Sequence, residues 1–480
     1  MRKRTIFIIL SLVFLAFGCS EKAATPLAPA AENGLDVAAE VHAPAWAMVK
    51  EAKWPVEASD NELNEAGLKV SSQAVAPLLN FNRTVIAGDI VHYSATIIVG
   101  PGKYDKIGIH RVVREKSPYN PIRAKKAFFL LHGDLKRFET MWIPGRFSPT
   151  LPDDFGLAVY LARNGVDVWG MDQAWNFIPR EETDFSFFAD WGIQREVDHL
   201  EIGLSIARAA RLITGNGYDK MLLLGYSSGS ATGYALLNQE SQWPECKRQV
   251  RGFVSGDFGV KSDDPAWLAS WAYWADYYQQ IYDAGQYQDT YYIFADIAML
   301  ARTEPDGASP FIPGFTNWQC ALFYGGGQIW GDVPGHFHAP ILQDGLPVGF
   351  QFITIDQWLD FITATCAYEP ILFERDYSVM AAGWPSPYND HLGDITVPVF
   401  DVGGAGGIGP GMAATRSCLG SDDITYLYVT VGAADPTLDY GHIDIFTARN
   451  APELVWQPML QWIEDHSGPH GKHAGDLAKD

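Results

Sequence analysis

Residues 221–229 read Met221-Leu222-Leu223-Leu224-Gly225-Tyr226-Ser227-Ser228-Gly229. Four consecutive apolar residues ending in a glycine suit a short, fully buried strand. The segment that follows, Ala231 to Leu237, is helical in composition. A strand that passes through Gly-x-Ser-x-Gly into a helix forces the serine into a sharp, strained turn. The residues two before and two after it must then lack a Cβ, which accounts for Gly225 and Gly229. The N-terminus of the helix presents a positive dipole end to any negative charge that develops beside the serine. Alone the pentapeptide is a weak signal, but its strand–turn–helix setting marks Ser227 as a candidate nucleophile.

Outward from this point the chain alternates strands and helices. Thr84–Val99 and Lys106–Val113 read as two strands, a hairpin around Gly100-Pro101-Gly102. Ala127–Leu131 and Val166–Met171 are two further strands, and the first runs into His132-Gly133-Asp134. Ile193 to Ile213 has apolar residues at helical spacing. Val250–Ser255, Val397–Val402 and Ile424–Val431 are strands, and Glu453–Ile463 is a closing amphipathic helix. The pattern predicts an α/β fold: an eight-stranded, mostly parallel sheet with helices on both faces. Residues 258–394 break the alternation. Trp267, Trp271, Trp274, Tyr278 and Tyr282 recur there at three-to-four-residue steps. Such a stripe suits the core of an inserted helical sub-domain, and it also suits the lining of an apolar pocket beneath it. Trp267, Trp271 and Trp274, with Tyr226, are the candidate substrate-binding residues.

A serine hydroxyl is a poor nucleophile at neutral pH and needs a base within hydrogen-bond reach. Of twelve histidines, His442 stands between the last strand and the last helix, and it is the candidate base. The orienting acid should lie between serine and histidine in the chain. The loop after Val397–Val402 is Gly403-Gly404-Ala405-Gly406-Gly407-Ile408-Gly409 and holds no carboxylate. Asp257, just after Val250–Ser255, is the favoured acid. Asp401 is the second choice, followed by Asp422, Asp423 and Asp435. The oxyanion donors are expected to be the N–H of Ser228 and that of Asp134, or else of Gly133.

Over residues 83–465 the chain resembles the α/β-hydrolase superfamily. The resemblance rests on the His132-Gly133 loop, the Gly225–Gly229 elbow, a cap between the sixth and seventh strands, and Gly441-His442. It implies hydrolysis of an ester, thioester or amide through an acyl-enzyme, with a hydrophobic or aromatic small-molecule ester as substrate. The departure is the missing carboxylate after the seventh strand. Acyl transfer, peptide cleavage and a non-catalytic binding role stay open as alternatives. Haloalkane or epoxide chemistry would need Asp at position 227.

The N-terminus suggests where the protein works. Arg2, Lys3 and Arg4 precede an apolar stretch, Ile6–Phe17, too short to span a membrane, and Ala16-Phe17-Gly18-Cys19 follows. This resembles a bacterial lipoprotein signal, which implies lipidation at Cys19 and an exported protein anchored in the cell envelope; the small residues Ala16 and Gly18 also suit an ordinary signal peptidase, so simple secretion stays open. The membrane is expected as a partner only through that anchor. A formal net charge of −22 sets nucleic acid aside as a partner. An apolar fraction of 47% supports a large core. The oxidising context permits two disulfides among Cys246, Cys320, Cys366 and Cys418, in three possible pairings. No cofactor and no metal is expected. Gly404–Gly409 matches G-x-G-x-x-G, but Pro410-Gly411 interrupts the helix a dinucleotide site needs. His336, His338 and Asp332 are set aside as metal ligands in favour of a cap-loop role. The boundaries expected are signal and lipidation site 1–19, tether 20–82, core 83–257, cap 258–394, core 395–466 and polar tail 467–480.

Overall fold

The computed structural model describes residues 78–328, 333 and 335–468. The signal segment with Cys19, nearly all of the tether, Asp332 and most of the polar tail lie outside the described residues.

Nine strands line up in the main sheet: β1 (Leu78–Ala87), β2 (Ile90–Ile98), β3 (Lys106–Ser117), β4 (Lys126–Leu131), β5 (Val166–Asp172), β6 (Met221–Tyr226), β7 (Val250–Gly256), β8 (Val399–Gly404) and β9 (Ile424–Val429). Their spatial order is β1-β2-β3-β5-β4-β6-β7-β8-β9, and the two residues Asn120–Pro121 add a tenth, marginal strand to β3. β1, β2, β3 and β5 pair antiparallel in turn. From β5 to β9 every pairing is parallel. The expected count of eight is corrected to nine because Thr84–Val99 is not one strand. Gly88, at φ +59, turns the chain, and β1 folds back on β2.

β4 shows why a continuous apolar run is a strand here. Phe128 and Leu130 enter one core, and Phe129 and Leu131 enter the other on the opposite face. The first core is closed by helix α1 (Leu157–Arg163) and the C-terminal helix. The second is closed by α2 (Ile193–Ile213) and α3 (Ser228–Ser241). α2 is buried even at charged positions. Arg211 and Arg111 both bind the buried Asp167 on β5, at 2.7 and 2.8 Å, and so staple α2 and β3 to the middle of the sheet. Burial raises the cost of that charge, yet the two guanidinium groups hold the Asp167 carboxyl below its usual range.

The insertion between β7 and β8 contains α4 (Pro265–Asp283), α5 (Tyr292–Thr303), α6 (Asn317–Gly326), α7 (Ile355–Thr363) and α8 (Ile371–Ala381). Their starts are written in the sequence. Asp264 caps α4 with Pro265 at the first helical position, and Thr316 and Thr354 form capping boxes with Gln319 and Gln357. The cap is helical, and it carries two small antiparallel sheets besides. Pro340–Gln343 and Leu346–Phe350 form a hairpin whose two-residue turn, Asp344-Gly345, has positive φ at both positions. Gln288–Thr290 pairs with Tyr368–Pro370 as a second small sheet. The cap has its own core, built on Phe294, Ile297, Leu322, Trp358 and Ile362, and this core takes in Leu135 and Ile443 from the main body. The cap is thus packed directly onto the loops that carry Asp134 and His442.

The four cysteines are all free thiols: Cys246 and Cys418 are exposed, and Cys320 and Cys366 are buried. None of the three pairings that an oxidising context would permit is formed. Cys320 is held inside α6, and Cys366 donates its S–H to Glu369 at 3.1 Å.

Candidate active site

β6 ends at Tyr226 and α3 begins at Ser228, so Ser227 is the turn. Its backbone sits at φ +58, ψ −130, a strained conformation for a residue with a Cβ. The flanking glycines are required by contact. A Cβ on Gly225 would lie 2.3 Å from the Gly229 carbonyl oxygen, and one on Gly229 would lie 2.5 Å from that of His132. The turn is held from below, where the Ser230 hydroxyl donates to the Gly225 carbonyl and accepts from the Gly256 N–H.

The structure brings Ser227, His442 and Asp257 together. His442 Nε2 lies 2.9 Å from Ser227 Oγ, and His442 Nδ1 lies 2.6 Å from Asp257 Oδ2. All three are buried, with Ser227 the most accessible at 8%. Asp257 follows β7 directly, also at positive φ (+50). Its carboxylate is wrapped by the glycine-rich loop after β8. Oδ1 accepts the N–H groups of Gly404 and Gly409, and Oδ2 accepts that of Ile408. A Cβ on Gly407 would sit 2.2 Å from Oδ2. The G-x-G-x-x-G pattern is therefore a carboxylate cradle, which explains its lack of side chains.

Burial pushes the Asp257 carboxyl up, to about 8. Its hydrogen bonds work against that. Three backbone N–H groups and one imidazole nitrogen converge on it, a pattern that suits the acceptor-only, ionised form. Burial first, and the Lys136 cation second, hold the His442 imidazole well below its usual range. His442 is then neutral at rest. With Nδ1–H turned to Asp257, Nε2 is left as an acceptor toward the serine.

The other acid candidates are occupied elsewhere. Asp401 lies mid-strand, bound by Arg416 and by the Tyr428 hydroxyl. Asp423 meets His466 at 3.1 Å, and Asp422 and Asp435 are exposed.

The Gly133–Asp134 loop stands over the serine, and a Cβ on Gly133 would come within 2.5 Å of the Ser227 Cβ. The structure gives neither the Ser228 N–H nor the Asp134 N–H a hydrogen-bond partner among the described residues. Both are thus available as oxyanion donors. The Ser228 hydroxyl donates to the Asp134 carboxylate and ties the loop to the elbow. His132 is fully buried and bound to Asn176 and the Gly133 carbonyl.

The substrate-binding candidates divide. Tyr226 is fully buried, stacks on His442 with centroids 4.9 Å apart, and donates its hydroxyl to the His442 carbonyl at 3.0 Å. The structure packs it under the His442 imidazole and gives it no exposed surface for a ligand. Trp267 packs against Gly411, where a Cβ would collide with its indole, and Trp271 donates to Met412 Sδ. Both are buried packing between α4 and the loop after β8. Trp274 is half-buried and stacks with Tyr278.

Lys136 and Asp444 carry no sequence signal of their own, and His338, read above as a cap-loop residue, joins them at the site. Lys136 is buried among the rings of Tyr226, Phe337 and Phe361 and donates to the Asp134 carbonyl at 2.8 Å; burial lowers it to about 8. His338 pairs with Asp444 at 2.7 Å, and Asp444 also accepts the Gly441 N–H beside His442. The backbone N–H groups of His442 and Ile443 donate to the carbonyls of His336 and Phe337. The 336–338 segment is thus the brace of the histidine loop.

No protein-family model matches the chain, and no curated protein matches it in sequence. Solved structures do. A candidate lipase from Sulfolobus solfataricus superposes with a TM-score of 0.54 at 16% identity, over 80% of this chain and 99% of that one. A soluble variant of monoglyceride lipase from Saccharomyces cerevisiae gives 0.39 at 12% identity, over 83% and 98%. A monoacylglycerol lipase from Paleococcus ferrophilus gives 0.35 at 13%, over 72% and 96%. With the strand order above, the first of these identifies the architecture as the α/β-hydrolase fold.

Proposed function

We propose that this protein is a serine hydrolase that cleaves a carboxylic ester through an acyl-enzyme on Ser227. The observation that carries the reading is the continuous hydrogen-bonded line from Ser227 Oγ through His442 to Asp257, at 2.9 and 2.6 Å. His442 Nε2 takes the serine proton as Oγ bonds to the substrate carbonyl carbon. The carbonyl oxygen becomes an oxyanion facing the Ser228 and Asp134 N–H groups. Collapse breaks the ester C–O bond, and the alcohol leaves with the proton from His442. Water, deprotonated by the same imidazole, then releases the acid and restores Ser227. Asp257 keeps the imidazole in one tautomer and offsets its positive charge in both steps.

A hydrophobic or aromatic group on the substrate is supported by the aromatic residues of the cap, of which Tyr377 reaches the Asp134 carboxylate beside the serine at 3.4 Å. The signal-like N-terminus supports export and an envelope anchor at Cys19. The test is a p-nitrophenyl ester series, acetate to decanoate, on wild type and Ser227→Ala, with Cys19→Ala assayed for membrane association. Turnover lost in Ser227→Ala is expected. A wild type that hydrolyses no member of the series would remove the reading.

A further inference from the structure

On the far side of β5 from the serine lies a second group of polar side chains, which the reaction does not use. In the β2–β3 pairing His92 faces Val112 and Ser94 faces His110, so the two histidines are diagonal neighbours on one face of the sheet. Both are about 5% exposed. Phe138, at the start of the short helix Phe138–Trp142, stacks on both rings, 5.8 and 4.4 Å between centroids. Glu139, next on that helix, is partly exposed and turns its carboxylate to His92.

These groups form a line with three gaps. Asp172 Oδ2 to His110 Nε2 is 3.0 Å, His110 Nδ1 to His92 Nε2 is 2.9 Å, and His92 Nδ1 to Glu139 Oε1 is 3.6 Å. The two short gaps are hydrogen-bond distances. With His110 Nε2–H donating to Asp172 and His92 Nε2–H donating to His110 Nδ1, the His92 Nδ1 lone pair faces a carboxylate oxygen across the third gap. Ligand atoms of His92, His110 and Glu139 all lie within 4.8 Å of one another, a spacing that one cation can bridge. The separation across the third gap suits one, because ligand bonds of about 2.1 Å at a tetrahedral centre place two donor atoms about 3.4 Å apart. Asp172, held in place by the Phe138 N–H at 2.6 Å, plays the outer carboxylate that fixes the tautomer of a metal-bound histidine, here through His110. Arg137 and Arg146 lie close enough to Glu139 to oppose a cation, although Arg146 also faces Asp153 at 3.9 Å.

We infer that His92 Nδ1 and Glu139 form a divalent transition-metal site, of the kind that takes Zn²⁺, with His110 and Asp172 as the relay behind His92 and water completing the coordination. Such an ion would tie β2 and β3 to the short helix that follows the Gly133–Asp134 loop.

The test uses full-length protein treated with chelator and dialysed. Zn²⁺ is titrated calorimetrically and the thermal midpoint is followed. Co²⁺ is added separately, and its visible absorption reports the coordination. The expected result is one saturable equivalent, a raised midpoint reversed by EDTA, and a tetrahedral-type Co²⁺ spectrum. Glu139→Gln, on a partly exposed residue, should abolish all three with the fold intact by circular dichroism. His92→Gln should do the same, and His110→Gln should weaken affinity about 10–100-fold. A wild type without a saturable equivalent would overturn the site and leave a third proton as the occupant of the gap. Binding that survives unchanged in Glu139→Gln and His92→Gln would overturn it as well, by placing the metal elsewhere.

Discussion

Replacing Asp257 by Asn changes no shape, yet the cradle around it predicts a specific failure. The carboxylate accepts two N–H groups on Oδ1 and one on Oδ2, and Oδ2 also faces His442 Nδ1. An amide has one acceptor oxygen and one donor NH₂. If the oxygen replaces Oδ1, Gly404 and Gly409 stay satisfied, but the NH₂ faces the Ile408 N–H and forces His442 Nδ1 to become an acceptor. The proton then sits on Nε2, and the base is blocked. If the oxygen replaces Oδ2, the base keeps its working tautomer, but the NH₂ faces two N–H donors instead of one. Each buried donor left unmet costs about 1–3 kcal/mol. The blocked arrangement is therefore favoured by one such penalty, about 5–150-fold. The variant also loses the charge that offsets the imidazolium in the transition state, so the total fall in kcat should be about 10³–10⁴-fold. The assay is kcat on p-nitrophenyl acetate with the second-order rate of fluorophosphonate labelling, on protein shown folded by circular dichroism. A folded Asp257→Asn within tenfold of wild type would refute this reasoning. So would an equal loss in Asp401→Asn, whose carboxylate is bound to Arg416 and Tyr428.

Other outcomes follow from the same geometry. His442 is active when neutral, and burial holds its imidazole below the usual value. Activity should therefore persist as pH falls through 6.5, and the acid limb of kcat/KM should lie below that value; an acid limb at or above 6.5 would contradict the burial argument. Gly407→Ala places a Cβ 2.2 Å from Asp257 Oδ2 and should push the carboxylate off His442. Misplacement of about 1 Å predicts about a 10²-fold loss in kcat with the fold retained, and wild-type kinetics would dispose of the cradle. Apart from Cys19, a thiol reagent should titrate Cys246 and Cys418 quickly in native protein, and Cys320 and Cys366 only on denaturation. Mass spectrometry under non-reducing conditions would expose a disulfide if one exists.

The parts of this molecule legible in the sequence are those written by local chemistry. Met221–Leu224 followed by Gly-x-Ser-x-Gly is a strand and a turn in nine residues. The alternating faces of β4 are hidden within its apolar run, because both faces are buried. Asp257 was legible through chain order and through the absence of a carboxylate after β8. The function of that absence was not, because only the folded loop shows its amides turned onto Asp257. The reading of one strand from Thr84 to Val99 failed at Gly88-Asp89, where β-branched residues on both sides mask a turn. The Asp344-Gly345 turn lies inside an aromatic-rich stretch whose spacing suits helices, and that masks the hairpin. Tyr226 looked like a pocket residue from its place in the elbow, but strand alternation turns it under His442. Lys136, the His338–Asp444 pair and the His92–His110–Glu139 group depend on register and loop packing between distant segments. Composition and spacing do not report such contacts.

The central claim is that Ser227 is an activated nucleophile. Its most direct test is intact-mass and peptide-level mass spectrometry of the protein after brief exposure to a fluorophosphonate. The account predicts one stoichiometric adduct, mapped to Ser227, that forms at neutral pH and is lost in His442→Ala. An unmodified wild type, or an adduct on a different residue, would contradict it.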